Sequence, residues 1–165
     1  MRRIQILVLL LLTPGALFAQ SAGYVGYRYK AVLPENILPN GVKSLGGALV
    51  GNINAKPLWD ISIMSKGKDR MLWLERAVKQ GAKGVEEWEV VDVLMFPNFP
   101  RGDELIFGTG DCTKNRKRDD DLVVQARLNS STFTYRTIKA WRTNPTLGKF
   151  VPEDAALVKC KYDAP

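Results

Sequence analysis

Histidine is absent from all 165 residues of this chain. Its absence removes Ser-His-Asp and Cys-His nucleophilic catalysis, His-bearing zinc sites and the commonest general base. An enzyme built on this sequence would rest on carboxylates, lysine, tyrosine or a hydroxyl. Cysteine is nearly absent too, with only Cys112 and Cys160. No apolar run reaches the roughly 20 residues of a membrane-spanning helix. Internal repeats, low-complexity tracts and metal-ligand spacings are lacking as well. No catalytic residue, metal site or cofactor is therefore expected, and no nucleic-acid partner.

What is present begins with a leader. Arg2 and Arg3 precede an apolar run from Ile4 to Leu12, which Thr13-Pro14-Gly15 ends. Ala16-Leu17-Phe18-Ala19 then places a small residue before Gln20. This is the three-part layout of a secretory signal peptide. Residues 1–19 are expected to be removed. The protein is then exported, periplasmic or extracellular, and not membrane-spanning after cleavage.

A hydrophobic content of 45% and a charged content of 25% are globular values. The net charge of +7 includes Arg2 and Arg3; without them 22 basic residues face 17 acidic ones, leaving +5. A mild positive excess suits an anionic envelope component or an acidic protein as partner. A solvated surface with some charge surplus accounts for it equally. An even cysteine count in an exported chain favours a Cys112–Cys160 disulfide, which would close a loop of about 50 residues. Two free buried thiols are the alternative.

Residues 20–44 read as an irregular N-terminal segment. Gly23, Gly26, Pro34, Pro39 and Gly41 punctuate it, and Tyr24, Tyr27 and Tyr29 alternate with small and basic residues. It reads as a poorly packed arm or a short edge strand, with stacking on sugars or bases as the functional alternative. A β-rich domain is expected over 45–165. A turn at Ser65–Asp69 separates two apolar segments. Residues 70–80 fit either the return strand of a hairpin or a helix capped by Asp69 and stopped by Gly81. Trp88 to Phe96 is the clearest strand and, being apolar on both faces, is expected to be central. Further strands are expected over 104–112, 122–128 and 156–161. Residues 131–143 fit either a strand or a short helix. The fold class is mainly β to α+β: one antiparallel sheet of about five to seven strands, with at most one or two short helices.

Several clusters invite chemistry and admit a plainer reading. Ser65 and Lys68 have Ser-x-x-Lys spacing, but they fall in a turn and lack that mechanism's companion motifs. Asp119, Asp120 and Asp121 supply oxygen ligands suited to calcium, yet Arg116, Lys117 and Arg118 precede them, as in a self-neutralising hairpin tip. Gly108-Thr109-Gly110 lacks the third glycine and the helix of a nucleotide loop. Glu86, Glu87 and Glu89 flank Trp88 and offer carboxylates for glycoside hydrolysis, or simply an exposed edge.

Trp88, Asp92, Cys112, the run Ala140-Trp141-Arg142-Thr143-Asn144, then Gly148-Lys149-Phe150, Val158 and Cys160 form a frame. On these residues the chain resembles a group of exported bacterial proteins with no assigned function. The resemblance spans residues 45–160 and implies a single small domain with Cys112 bonded to Cys160. Within the frame, Trp141 and Arg142 are the candidate ligand surface, by ring stacking and a bidentate contact to a carboxylate. The alternative is a core tryptophan with an arginine at its rim. The expected function is non-catalytic binding of an envelope component or a protein. A small carboxylate-dependent hydrolase of envelope glycans and a structural envelope protein are the alternatives.

Overall fold

The chain folds into stacked antiparallel sheets in the computed structural model, which describes residues 23–31, 38–52, 54, 56–82, 84–108 and 111–161. The expected leader lies outside the described residues. The strands are β1 (Arg28–Lys30), β2 (Val42–Val50), β3 (Trp59–Lys66), β4 (Asp69–Gly81), β5 (Gly84–Phe96), β6 (Asp103–Phe107), β7 (Cys112–Lys114), β8 (Lys117–Arg118), β9 (Leu122–Asn129), β10 (Thr134–Asn144), β11 (Lys149–Glu153) and β12 (Val158–Cys160). A single 3-10 turn, Ala155–Leu157, precedes β12. The first sheet has the order β1-β5-β4-β3-β2, the second β11-β10-β9-β6 and the third β12-β7-β8. The mainly β, antiparallel class holds, but the strands divide among three sheets. Among the described residues no helix is long and apolar enough to cross a membrane.

Period-two alternation explains the layering, because successive strand residues face opposite sides. Ile61, Leu72 and Leu74 of the first sheet meet Val123 and Phe150 of the second. Leu122, Val124 and Ala126 point the other way, toward Val158 and the Cys112–Cys160 pair of the third sheet. On the outer face of the first sheet, Met64, Met71 and Trp73 form a separate core. Strand β4, buried on both faces from Met71 to Leu74, occupies the centre of the first sheet. The 88–96 segment, expected there, lies next to it within β5.

The structure decides the open segments. Residues 70–80 belong to β4, joined to β3 by a hairpin in which Lys66 pairs with Asp69. Gly67, at φ 60°, makes that tight turn possible. Residues 134–144 are the strand β10.

Three expectations need correction. The strand expected over 104–112 is two strands, β6 and β7, in different sheets. The chain leaves the second sheet at Gly108, which adopts φ 68° beside Ala48. Thr109 and Gly110 lie outside the described residues. The 156–161 strand begins with the 3-10 turn. The N-terminal segment is not loosely packed where it is described. Residues 28–30 pair with β5, and Tyr24, Tyr27 and Tyr29 set their rings 5.3, 6.2 and 6.4 Å from Trp73. Strand β2 already begins at Val42. A three-residue strand carries too little pattern to be read locally, and its stability comes from a tryptophan more than forty residues away.

Candidate functional site

The outer face of the first sheet carries an acidic cluster inside an otherwise apolar surface. Strand β3 directs Asp60, Ser62 and Met64 to that face, and β4 directs Met71, Trp73 and Glu75 there. In the register, Asp60 lies opposite Glu75 and Ser62 opposite Trp73. Strand β1 adds Tyr29 from the far side of β5. Glu75 is completely buried.

The hydrogen bonds form a chain. The Tyr29 hydroxyl donates to Glu75 Oε1 at 2.8 Å. Ser62 Oγ lies 2.9 Å from Glu75 Oε2 and 3.1 Å from Asp60 Oδ2. One hydroxyl has one hydrogen, so Ser62 can donate to only one of the two carboxylates. The other contact is satisfied only if a carboxyl keeps its own proton. Burial settles which one: it pushes the Glu75 pKa up to about 8, against the hydrogen bonds from Tyr29 and Ser62. A protonated Glu75 donates to Ser62 and Ser62 donates to Asp60, so each of the two contacts has its own hydrogen. Asp60 is also raised above its ordinary value by burial, though less buried than Glu75. Burial and the neighbouring Glu75 raise the Tyr29 phenol as well, keeping it a donor.

Above this chain of bonds lies a cleft of about 280 Å³. Tyr29, Leu38, Asp60, Ser62, Met64 and Trp88 line it, with the Gly46–Gly47 backbone of β2. Gly47 lets β2 approach closely. A Cβ there would sit 2.7 Å from the Ile61 carbonyl oxygen, 3.0 Å from Asp60 Oδ2 and 3.1 Å from Ser62 Oγ. Gly47→Ala is therefore expected to destabilise the fold by about 1–3 kcal/mol. The thermal midpoint should fall, with the near-ultraviolet signal of the Trp73 cluster altered. An unchanged midpoint would show that β2 does not sit this close.

The residues singled out from sequence lie elsewhere. Trp141 and Arg142 are neighbours on β10, so alternation sends them to opposite faces. Trp141 enters the core between the first two sheets and meets Phe96 edge-on at 5.5 Å. Arg142 donates from Nη1 to Asp119 Oδ1 and from Nε to Glu153 Oε1, both at 2.9 Å, and from Nη2 to Asp119 Oδ2. All three of its nitrogens bind groups of this chain, and the two side chains share no surface. Asp119 is thus part of an internal ion cluster rather than a freely solvated tip; Lys114 joins it through Glu153. Those hydrogen bonds, from Lys114 first and then Arg142, hold the Glu153 carboxyl below its usual range. Glu89 is likewise lowered by Arg76 and Arg28, and Glu86 pairs with Lys79. Of the glutamates around Trp88, Glu86 and Glu89 are therefore salt-bridged and Glu87 has no ion pair among those described; they lie on β5, an inner strand between β1 and β4, not on an edge. Cys112 and Cys160 are bonded across β7 and β12.

Sequence reasoning missed Asp60, Ser62 and Glu75. One local signal existed: Glu75 shares a period-two face with Met71 and Trp73. An acid among apolar partners on a buried strand is a candidate for a perturbed carboxyl.

No family model, curated protein or solved structure matches the chain. The fold and cleft themselves define the class: a mainly β protein of three stacked antiparallel sheets, with an aromatic-walled cleft lined by a half-buried aspartate above a buried glutamate.

Proposed function

We propose that this chain is an exported, non-catalytic domain that binds an envelope component through the Tyr29–Trp88 cleft. The observation that carries the reading is the placement of the two carboxyl groups. Asp60 lines the cleft, whereas Glu75 is fully buried behind Ser62 and Tyr29. Concave shape, two aromatic walls, and a few polar groups of which only one is a carboxylate are the attributes of a recognition site. Export rests on the leader-like residues 1–19 and agrees with the disulfide. Kinship with the exported bacterial group belongs to the same proposal.

The hydrolase alternative has one observation in its favour, the pair of acids of which Glu75 is held protonated near neutrality. A glycosidase needs both carboxyl groups at the scissile bond. Glu75 offers no surface to a substrate, so binding is the better reading.

Retention on bacterial envelope fractions tests it. The protein is expected to be retained, and Trp88→Ala, which removes one wall without touching the core, is expected to lose most of that retention. Equal retention of both proteins, or of neither, would count against the cleft as the binding surface.

A further inference from the structure

We infer that the cleft selects a small organic cation, a compound bearing a primary or quaternary ammonium group. The inference rests on the binding reading above and adds the ligand's chemistry. Three observations carry it.

The first is the charge of the lining. Among the described residues that line the cleft, Asp60 is the only charged side chain, and none is a lysine or arginine. This is unexpected in a chain with 24 basic residues against 17 acidic ones. The second is the contrast with the salt-bridged acids. Glu89 has Arg28 and Arg76, Glu153 has Lys114 and Arg142, and Asp103 has Arg127. Among the described residues Asp60 meets the Ser62 hydroxyl and no cation. A half-buried carboxylate without a counter-charge is costly, and a cation entering the cleft would remove that cost. The third is the walls. Tyr29 and Trp88 line the same space, and aromatic faces attract cations through their quadrupole. An anionic ligand would be repelled by Asp60 and gain nothing from the rings.

The size of the cleft limits the ligand. About 280 Å³ lies at the small end for ligand sites and suits one head group rather than a polymer segment. Gly46 and Gly47 add no side chains to narrow it. Ser44, also in the lining, adds a hydroxyl acceptor for a primary ammonium.

Titration of the protein with choline chloride and, separately, with N-acetyl-lysinamide distinguishes the quaternary and primary arms. Sodium chloride keeps ionic strength matched, and N-acetylglucosamine serves as a neutral arm. Backbone amide shifts are followed by NMR. At least one cation is expected to give saturable shifts confined to residues 29, 44–47, 60–64 and 88. Asp60→Asn is expected to weaken that binding about tenfold, corresponding to ~1.4 kcal/mol. Trp88→Leu should weaken it independently, and it carries the test if the Asn variant does not fold. Saturation by the sugar but not by either cation, at the same residues, would overturn the inference while leaving the binding reading intact. The inference also falls if the Asn variant binds a cation as tightly as the parent. If neither cations, sugar nor envelope fractions engage these residues, both readings fall together.

Discussion

Replacing Glu75 with glutamine is expected to abolish the main pH dependence of stability between pH 5 and 8. Glu75 has an ordinary pKa of 4.5 and is pushed up to about 8 in the folded protein, chiefly by burial. Below about pH 4.5 the carboxyl is protonated in both the folded and unfolded chain, and its ionisation costs nothing. Between about 4.5 and 8 the unfolded chain releases the proton while the folded chain keeps it. Stability therefore falls as pH rises, by up to about 1.4 kcal/mol per pH unit. Above about 8 the folded protein ionises as well and the loss levels off. The whole effect is on the order of 3–5 kcal/mol, a large part of a small domain's stability. Asp60, also raised by burial, acts in the same direction. Glu89 and Glu153, both lowered, contribute stability only as pH rises through the acid range, below this window.

Glutamine reproduces the protonated carboxyl. Its oxygen can accept from Tyr29 and its amide can donate to Ser62, with no charge to bury. Urea denaturation at pH 5, 7 and 9 is expected to show a falling midpoint for the parent and a nearly constant one for Glu75→Gln. The variant should be the more stable protein at pH 9. Glu75→Leu also removes the titration, but it leaves the Tyr29 hydroxyl without its acceptor. It should lie below the glutamine variant by about 1–3 kcal/mol at every pH. A parent midpoint that is flat from pH 5 to 9 would show that Glu75 keeps no proton.

Removing the disulfide is the second large effect. Cys112 and Cys160 are 48 residues apart, and they face each other directly in the register of β7 and β12. A loop of this size corresponds to roughly 3–4 kcal/mol in the chain-entropy model. The third sheet has few backbone pairings of its own. Its strands contain three, two and three residues, too few to persist as an isolated sheet. The paired substitution Cys112→Ala with Cys160→Ala should lower stability by about that amount. Hydrogen exchange should quicken first over 112–118 and 158–160, while Trp73 and its tyrosines stay protected. The ion cluster of Lys114, Glu153, Arg142 and Asp119 ties the same region to the second sheet and should limit how far it opens. A loss under about 1 kcal/mol would mean that this cluster and the packing of Leu122 and Val158 suffice without the bond.

Much of the fold was legible because alternation is a local property. The pattern of Trp88 to Phe96 marks a strand from its own residues; Ser65 to Asp69 marks a turn, but whether a strand or a helix follows it was decided only by the pairing of β4 with β3. The break at Gly108 was not legible. A glycine within an apolar run signals either a bulge or an exit, and only the neighbouring Ala48 distinguishes them. Trp141 and Arg142 show a second limit. Adjacency in sequence suggested one surface, and strand geometry places them on opposite faces.

The candidate site was the least legible part. Asp60, Ser62, Glu75 and Tyr29 come from three strands, and only Glu75, an acid on the apolar face of Met71 and Trp73, is unusual in its own segment. An aspartate near the start of an amphipathic strand ordinarily faces water. It lines a cleft here because β1, paired with β5 at the edge of the first sheet, brings Tyr29 to the same face.

The sequence by itself determined the antiparallel β class, since each strand writes its two faces into its own residues. By its lack of histidine it also excluded the common nucleophilic and zinc chemistries. Only the tertiary structure decided which face of the first sheet is closed over and what is enclosed there. Burial is set by segments distant along the chain. It is the placement of Tyr29 over Glu75, not any local pattern, that turns an ordinary glutamate into a protonated one beside an uncompensated aspartate.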